Sequence, residues 1–315
     1  MTKPWLLRAI DQPLSILRAF VAFRWLKRRH SSSQQHESKS VQELRSFGIS
    51  FVLGSYNRFP LLVKAIDSIR SQDVPVPFEI IVIDGGSTDG TMEWLSGQKD
   101  IISIIQHNHG EFRGRPVERR SWGYFMNLGF KIAQGKFILM MSDDCVLLPN
   151  AVTCAMARIR ELERQNHNIV GVAFYFRNWP REKDYYVQKT LGGKLMVNHG
   201  LFLKTAIESV GWADEERYIF YKADSDLCLK LWQAGYTIVD APGAFVEHYV
   251  DPSETIRVAN NATLGYDRKT YLRRWGSQFS VQDCGRVTIS FDDPSHTAEK
   301  TFGDLSAAPA SRQVC

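Results

Sequence analysis

At 315 residues, with 44% hydrophobic and 23% charged side chains, the chain has an ordinary globular composition, long enough for one large α/β domain or two smaller ones. The net charge of +5 is mild, and no stretch reaches the roughly 20 apolar residues of a membrane-spanning helix. Five cysteines (Cys145, Cys154, Cys228, Cys284 and Cys315) lie far apart without CxxC spacing, which excludes a disulfide framework and fits reduced thiols in a cytosolic compartment.

The positive charge is uneven. Arg8, Arg18, Arg24, Lys27, Arg28 and Arg29 crowd the N-terminus, where Leu14, Leu17, Val21 and Trp25 fall at helical spacing. Residues 1–30 therefore read as a basic amphipathic segment. Residues 4–29 suit either a membrane surface or a helix packed on protein. The apolar residues are broken by charges, unlike a signal peptide. Residues 31–47 are polar and read as a linker.

From residue 48 the pattern becomes regular. Strands are expected at 49–53, 79–83, 101–106 and 137–141. Helices are expected at 60–71, 88–96, 121–134 and 149–165. This alternation implies βαβ units and a largely parallel, buried sheet. A strand at 169–176, a helix at 221–234 ending at Gly235, and a short strand at 236–239 follow. The domain is expected to span 48–276. Beyond it the periodicity fades, and 277–315 is expected to be a disordered tail.

Polar residues cluster where the apolar strands end, which is where open α/β sheets bind ligands. The first strand runs into Ser55-Tyr56-Asn57-Arg58, the second into Asp84-Gly85-Gly86-Ser87-Thr88-Asp89-Gly90, and the fourth into Asp143-Asp144. Adjacent carboxylates repel unless a cation or proton lies between them, so Asp143-Asp144 fits a divalent cation bridging to a diphosphate. An acidic turn before Pro149 is the plainer alternative. Asp84 suits a base N–H or ribose hydroxyl, or simply a turn followed by a helix cap. Neither GxGxxG nor GxxxxGK[ST] occurs, which disfavours the common dinucleotide and P-loop sites. Asp224 and Asp226 begin a helix, where either caps its N-terminus and Asp224 could serve as a general base. His248 ends a short apolar run and is a third candidate cation ligand.

Taken in order, these pieces resemble the glycosyltransferases of family 2, which have the GT-A fold. Asn127-Leu128-Gly129, Ala133-Gln134-Gly135 and Gly235-Tyr236 complete the set, and the likeness covers residues 48–250. The resemblance implies a Rossmann-like, mostly parallel central sheet flanked by helices. It also implies an inverting, metal-assisted transfer from a UDP-, GDP- or dTDP-sugar to a glycan, polysaccharide or lipid-linked acceptor. Donor binding would fall to Ser55, Tyr56, Arg58, Asp84, Gly85, Asn127 and Asp143, with Tyr56 flanking the base. Asp144 and His248 would hold Mn²⁺ or Mg²⁺, and Asp224 would be the catalytic base. The protein would act in the cytoplasm, peripherally at the inner face of a membrane, with no nucleic-acid partner.

Three departures qualify the match, one of them the region Gly110–Ser121, which is longer than usual. Ala223 stands where the family usually has Glu, so the base is Asp224 or Asp226. Met126 stands where many members carry Arg. Arg113, Arg115, Arg119 and Arg120 either replace it at the donor phosphates or form a solvated basic loop. Acceptor specificity is expected around Trp179–Gly200, including Asn198-His199-Gly200, and after Asp251. The alternatives are a sugar nucleotidyltransferase and a non-catalytic protein that keeps the fold.

Overall fold

The computed structural model describes residues 48–164, 168–250, 255–291 and 302. The N-terminal segment and the linker lie outside the described residues. Among the described residues, no helix is long and apolar enough to cross a membrane.

The first half follows the βαβ alternation. In chain order it contains β1 (Ile49–Ser55), α1 (Phe59–Arg70), β2 (Phe78–Asp84), α2 (Thr91–Gly97) and β3 (Ile101–Ile105). The small hairpin β4 (Glu111–Phe112) and β5 (Arg115–Pro116) comes next. Then come α3 (Trp122–Ile132), β6 (Phe137–Ser142), β7 (Cys145–Leu147) and α4 (Ala151–Glu163). Strands β6, β1, β2 and β3 lie side by side, all parallel.

Both faces of these strands are buried. Phe51 and Leu53 pack with Leu62, Ile66 and Ile69 of α1, whereas Val52, Ile81 and Ile83 pack with Phe125 and Phe130 of α3. That two-sided burial explains why the strands read as continuous apolar runs. Each such side chain contributes about 1.5–3 kcal/mol on burial.

The second half is less regular than the first. It comprises β8 (Ile169–Trp179), β9 (Tyr185–Lys189), β10 (Gly200–Leu203), α5 (Lys204–Ser209) and α6 (Ala223–Gln233). It continues with β11 (Thr237–Tyr249), α7 (Thr255–Asn261), α8 (Leu264–Trp275) and β12 (Gly285–Ile289). The main path of the sheet runs β12-β9-β8-β10-β6-β1-β2-β3, and β11 pairs with β8 and β7. β10 is antiparallel to both neighbours, so the parallel pattern ends at β6.

The strand expected at 236–239 is the beginning of β11, which continues to Tyr249 through a register shift between Asp240 and Phe245. Pro242 and Gly243 (φ 96°) lie in that irregularity and conceal the continuity in the sequence. β12 lies beyond residue 276 yet pairs with β9 from Gly285↔Lys189 to Ile289↔Tyr185. Its largely exposed, mixed composition explains why no apolar pattern announces it. The rest of the expected tail falls outside the described residues, apart from Phe302. That ring is buried and stacks on Trp179 at 5.7 Å.

Gly129 is where α3 meets the sheet. A Cβ there would lie 2.6 Å from a Val52 methyl and 2.7 Å from Ile83 Cδ1. Gly129→Val is therefore expected to destabilise the fold by about 1–3 kcal/mol through overpacking. Gly97→Ala, with open space around it, should change stability little. Thermal unfolding of both variants checks the contrast.

Candidate active site

The parallel strands end in register. Ser55 pairs with Asp84, and Gly54 pairs with Ser142, so the three loops that follow open at one edge of the sheet. Here lies a cavity of about 530 Å³. Its wall includes Tyr56, Arg58, Asp143, Asp144, Asp224 and His248. Ser55 and Gly85 also line it.

The acid pair is buried at the end of β6, and both residues are 3% exposed. One guanidinium nitrogen of Arg58 lies 3.0 Å from Asp143 Oδ1 and 3.0 Å from Asp144 Oδ2. Arg257 Nη2 reaches Asp144 Oδ2 at 3.2 Å, and His248 Nε2 lies 3.4 Å from the same oxygen. Burial alone would raise both acids. For Asp144 the positive charges of His248, Arg58 and Arg257 prevail and hold it well below the usual carboxylate range. For Asp143 burial prevails over Arg58 and pushes it up to about 6. Two neighbouring carboxyls thus differ sharply in proton affinity.

His248 arrives through strand pairing. The β7–β11 ladder sets it opposite Cys145, one residue past the acids. Its Nδ1 lies 2.7 Å from Asn178 Oδ1 and donates to it, which orients the ring so that Nε2 faces Asp144. A carboxylate and an imidazole oriented in this way suit a divalent cation. Asp143 Oδ2 is buried without a hydrogen-bond partner. The residues therefore fit the metal that the sequence resemblance implies.

Asp224 and Asp226 separate cleanly. Asp224 faces the cavity, with its amide neighbour Ser225 donating to Oδ1 at 2.7 Å and Asn198 Nδ2 approaching Oδ2 at 3.4 Å. Burial raises its proton affinity, and Lys222 opposes the rise. Asp226 is fully buried and accepts from Tyr218 Oη at 2.8 Å and Trp275 Nε1 at 2.7 Å. Asp226 thus ties α6 to α8, and the cavity-facing acid is Asp224. Ala223 is fully buried in the apolar cluster that also holds Leu191, Tyr218 and Trp275. The turn ahead of α6 is held by buried Asp267. Its oxygens accept from the amides of Ile219, Phe220 and Tyr221 at 2.8, 3.0 and 2.8 Å.

Two of the expected donor residues lie away from the cavity wall. Asp84 is fully buried and occupied by its own turn: Oδ1 accepts from the amides of Gly86 and Ser87, and Oδ2 from Ser87 Oγ. Asn127 fastens α3 to the 213–215 segment through Ala213 and Glu215. Asp84 is held by the amides of its own turn, whereas Asn127, midway along α3, is held by a segment distant in the chain. Tyr56 does face the cavity, stacked on His109 at 4.1 Å and 19°. Of the arginine cluster, Arg119 and Arg120 line the cavity, whereas Arg113 and Arg115 are exposed on the β4–β5 hairpin.

Sequence reading did not single out Cys145, Asn178, Arg257 or His109. Cys145 and Asn178 depend on strand pairing, Arg257 on helix placement and His109 on a loop, none of which leaves a local signal. His199, expected only as a pocket or turn residue, does line the cavity. It is 5% exposed, and burial followed by the nearby His248 lowers it to about 3.

With the geometry in place, comparison with known proteins gives the class. The profile of glycosyl transferase family 2 matches residues 50–220, and the chain belongs to that family. It is 31% identical over 147 residues to the GalNAc(5)-diNAcBac-PP-undecaprenol beta-1,3-glucosyltransferase of Campylobacter jejuni. That match covers 46% of this chain and 42% of the relative. It is 26% identical over 157 residues to the UDP-Glc:alpha-D-GlcNAc-diphosphoundecaprenol beta-1,3-glucosyltransferase WfaP of Escherichia coli, covering 50% and 55%. The chain thus spans about half the length of these two relatives. Among solved structures it resembles the mannosyltransferase PcManGT of Pyrobaculum calidifontis in complex with GDP-Man and Mn²⁺. The TM-score is 0.53 at 18% identity, covering 72% of this chain and 64% of the other. The fold is GT-A.

The low proton affinity of His199 gives a pH dependence of known sign. Between pH 6.5 and 3 the unfolded chain binds a proton at His199 that the folded chain does not, so stability falls as pH falls. This residue's share is about 1.5 kcal/mol between pH 6.5 and 5. Urea unfolding of wild type and His199→Gln across that range should show the variant losing less stability on acidification.

Proposed function

We propose that the chain is an inverting glycosyltransferase that moves a sugar from a nucleotide-diphosphate sugar to an acceptor hydroxyl. The observation that carries this reading is a single cavity holding the cation-ready Asp144–His248 pair together with a partly buried carboxylate, Asp224. Tyr56 flanks the nucleobase, and Ser55 and Gly85 line the donor's path. Arg58 and Asp143 meet the diphosphate end, with Arg119 and Arg120 supplying further positive charge.

Asp144 and His248 hold a divalent cation, Mn²⁺ or Mg²⁺, which supplies Lewis-acid neutralisation of the leaving diphosphate when bound. Asp224 accepts the proton of the acceptor hydroxyl as that oxygen bonds to the anomeric carbon from the face opposite the diphosphate. The anomeric C–O bond breaks, its electron pair leaves on the nucleoside diphosphate, and the configuration inverts. Burial suits Asp224 to this task, because a carboxylate partly stripped of water is the stronger base.

The printed names of the two bacterial relatives support a lipid-diphosphate-linked glycan as acceptor. On that reading the basic, tryptophan-bearing segment 4–29 brings the enzyme to the inner membrane face.

Asp224→Asn is expected to bind the donor normally and to lose transfer by on the order of 10²–10⁴-fold. Calorimetry and a product assay on one preparation separate the two effects, and normal turnover would remove the base role from Asp224. Asp144→Ala is expected to bind donor in Mn²⁺ no better than wild type does in EDTA. Unchanged Mn²⁺-dependent affinity would remove Asp144 from the metal site.

A further inference from the structure

Cys145 follows the acid pair directly and lies opposite His248 in the β7–β11 ladder. Its Sγ is 3.7 Å from Asp144 Oδ1. One donor atom each from Asp144, Cys145 and His248 falls within 4.8 Å of the other two. His199 also approaches, with Nε2 at 3.6 Å from Sγ. A tetrahedral ion with sulfur at about 2.3 Å and nitrogen at about 2.0 Å sets its ligand atoms about 3.3–3.6 Å apart. The 3.4 Å between His248 Nε2 and Asp144 Oδ2 and the 3.7 Å between Cys145 Sγ and Asp144 Oδ1 are near that spacing, each ligand meeting one oxygen of the carboxylate. Asn178 fixes the His248 tautomer that presents Nε2.

We propose that Asp144, Cys145 and His248 form a thiophilic site that binds Zn²⁺, or Co²⁺ in its place, through a metal–thiolate bond. It competes with Mn²⁺ or Mg²⁺ at the catalytic position. This rests on the reading that Asp144 and His248 hold a divalent cation. Sulfur and imidazole donors favour Zn²⁺ and Co²⁺ over Mn²⁺, whereas Mg²⁺ prefers oxygen alone. On binding, the Cys145 S–H bond breaks and an S–metal bond forms. The proton leaves to solvent, and no electron is transferred. Asp144 and His248 line the cavity, and Cys145, fully buried, lies directly behind Asp144. The consequence is inhibition by zinc: the thiolate-bound ion is held tightly and displaces the catalytic one.

The test adds Co²⁺ alone to the full chain and reads the thiolate-to-cobalt charge-transfer band in the near ultraviolet. The band is expected in wild type and absent in Cys145→Ala, with Co²⁺ bound at least about tenfold more weakly. It should persist in Cys284→Ala, which removes an exposed thiol. Cys145→Ser, closer in size, serves if the alanine variant does not fold. A wild-type chain without the band, or a band that survives loss of Cys145, overturns the proposal. Mn²⁺ binding, read by its paramagnetic resonance, distinguishes the failures. Mn²⁺ bound without a cobalt–thiolate band defeats this inference alone, and binding of neither ion defeats the metal reading beneath it.

Discussion

Two adjacent carboxylates buried at the end of a strand are the constraint around which this molecule is arranged. Ionised side by side and cut off from water, Asp143 and Asp144 would cost several kcal/mol without positive charge beside them. The structure brings that charge from three separate parts of the chain: Arg58 after β1, His248 on β11 and Arg257 on α7. Such convergence is expensive to build unless the acids have a task that needs a cation. Arg58 shows the logic most plainly, since one nitrogen serves both acids at equal distance. On the proposed reading the same guanidinium would turn to the diphosphate when a donor brings its own charge.

Strand register delivers these groups. The parallel ladders level the ends of β1, β2 and β6, so Tyr56, Gly85 and the acids reach one crevice. The antiparallel β7–β11 pairing then carries His248 back to the acids, and the bulge in β11 sets which residue arrives. On the opposite side, α8 acts as a brace. Asp267 orders the turn before α6, and Trp275 with Asp226 fixes the helix that displays Asp224. The acid that faces the cavity and the acid that holds the frame are two residues apart on one helix.

Much of this was legible in the chain itself. The βαβ half could be read from continuous apolar runs, because strands buried on both faces leave that trace. The acid pair, Asp224 and His248 could be read because polar residues that interrupt apolar runs stand out. The second half was harder. β9, β10 and β12 are short or partly exposed, and the Pro242-Gly243 irregularity hides the length of β11. Asp84 shows the limit of motif reading, since a carboxylate at a strand end serves either a ligand or its own turn. Here three hydrogen bonds hold it in its own turn. Cys145 and Arg257 join the site only through pairings made far along the chain.

The measurement that tests the central claim most directly is the melting temperature of the full chain with UDP-, GDP- and dTDP-sugars, each in Mn²⁺, Mg²⁺ or EDTA. A ligand that binds only the folded state must raise the transition. The account predicts a rise with one nucleotide class that requires the divalent ion and disappears in EDTA. A rise of equal size in EDTA would contradict the cation role of Asp144 and His248, and no rise with any donor would contradict the donor site itself.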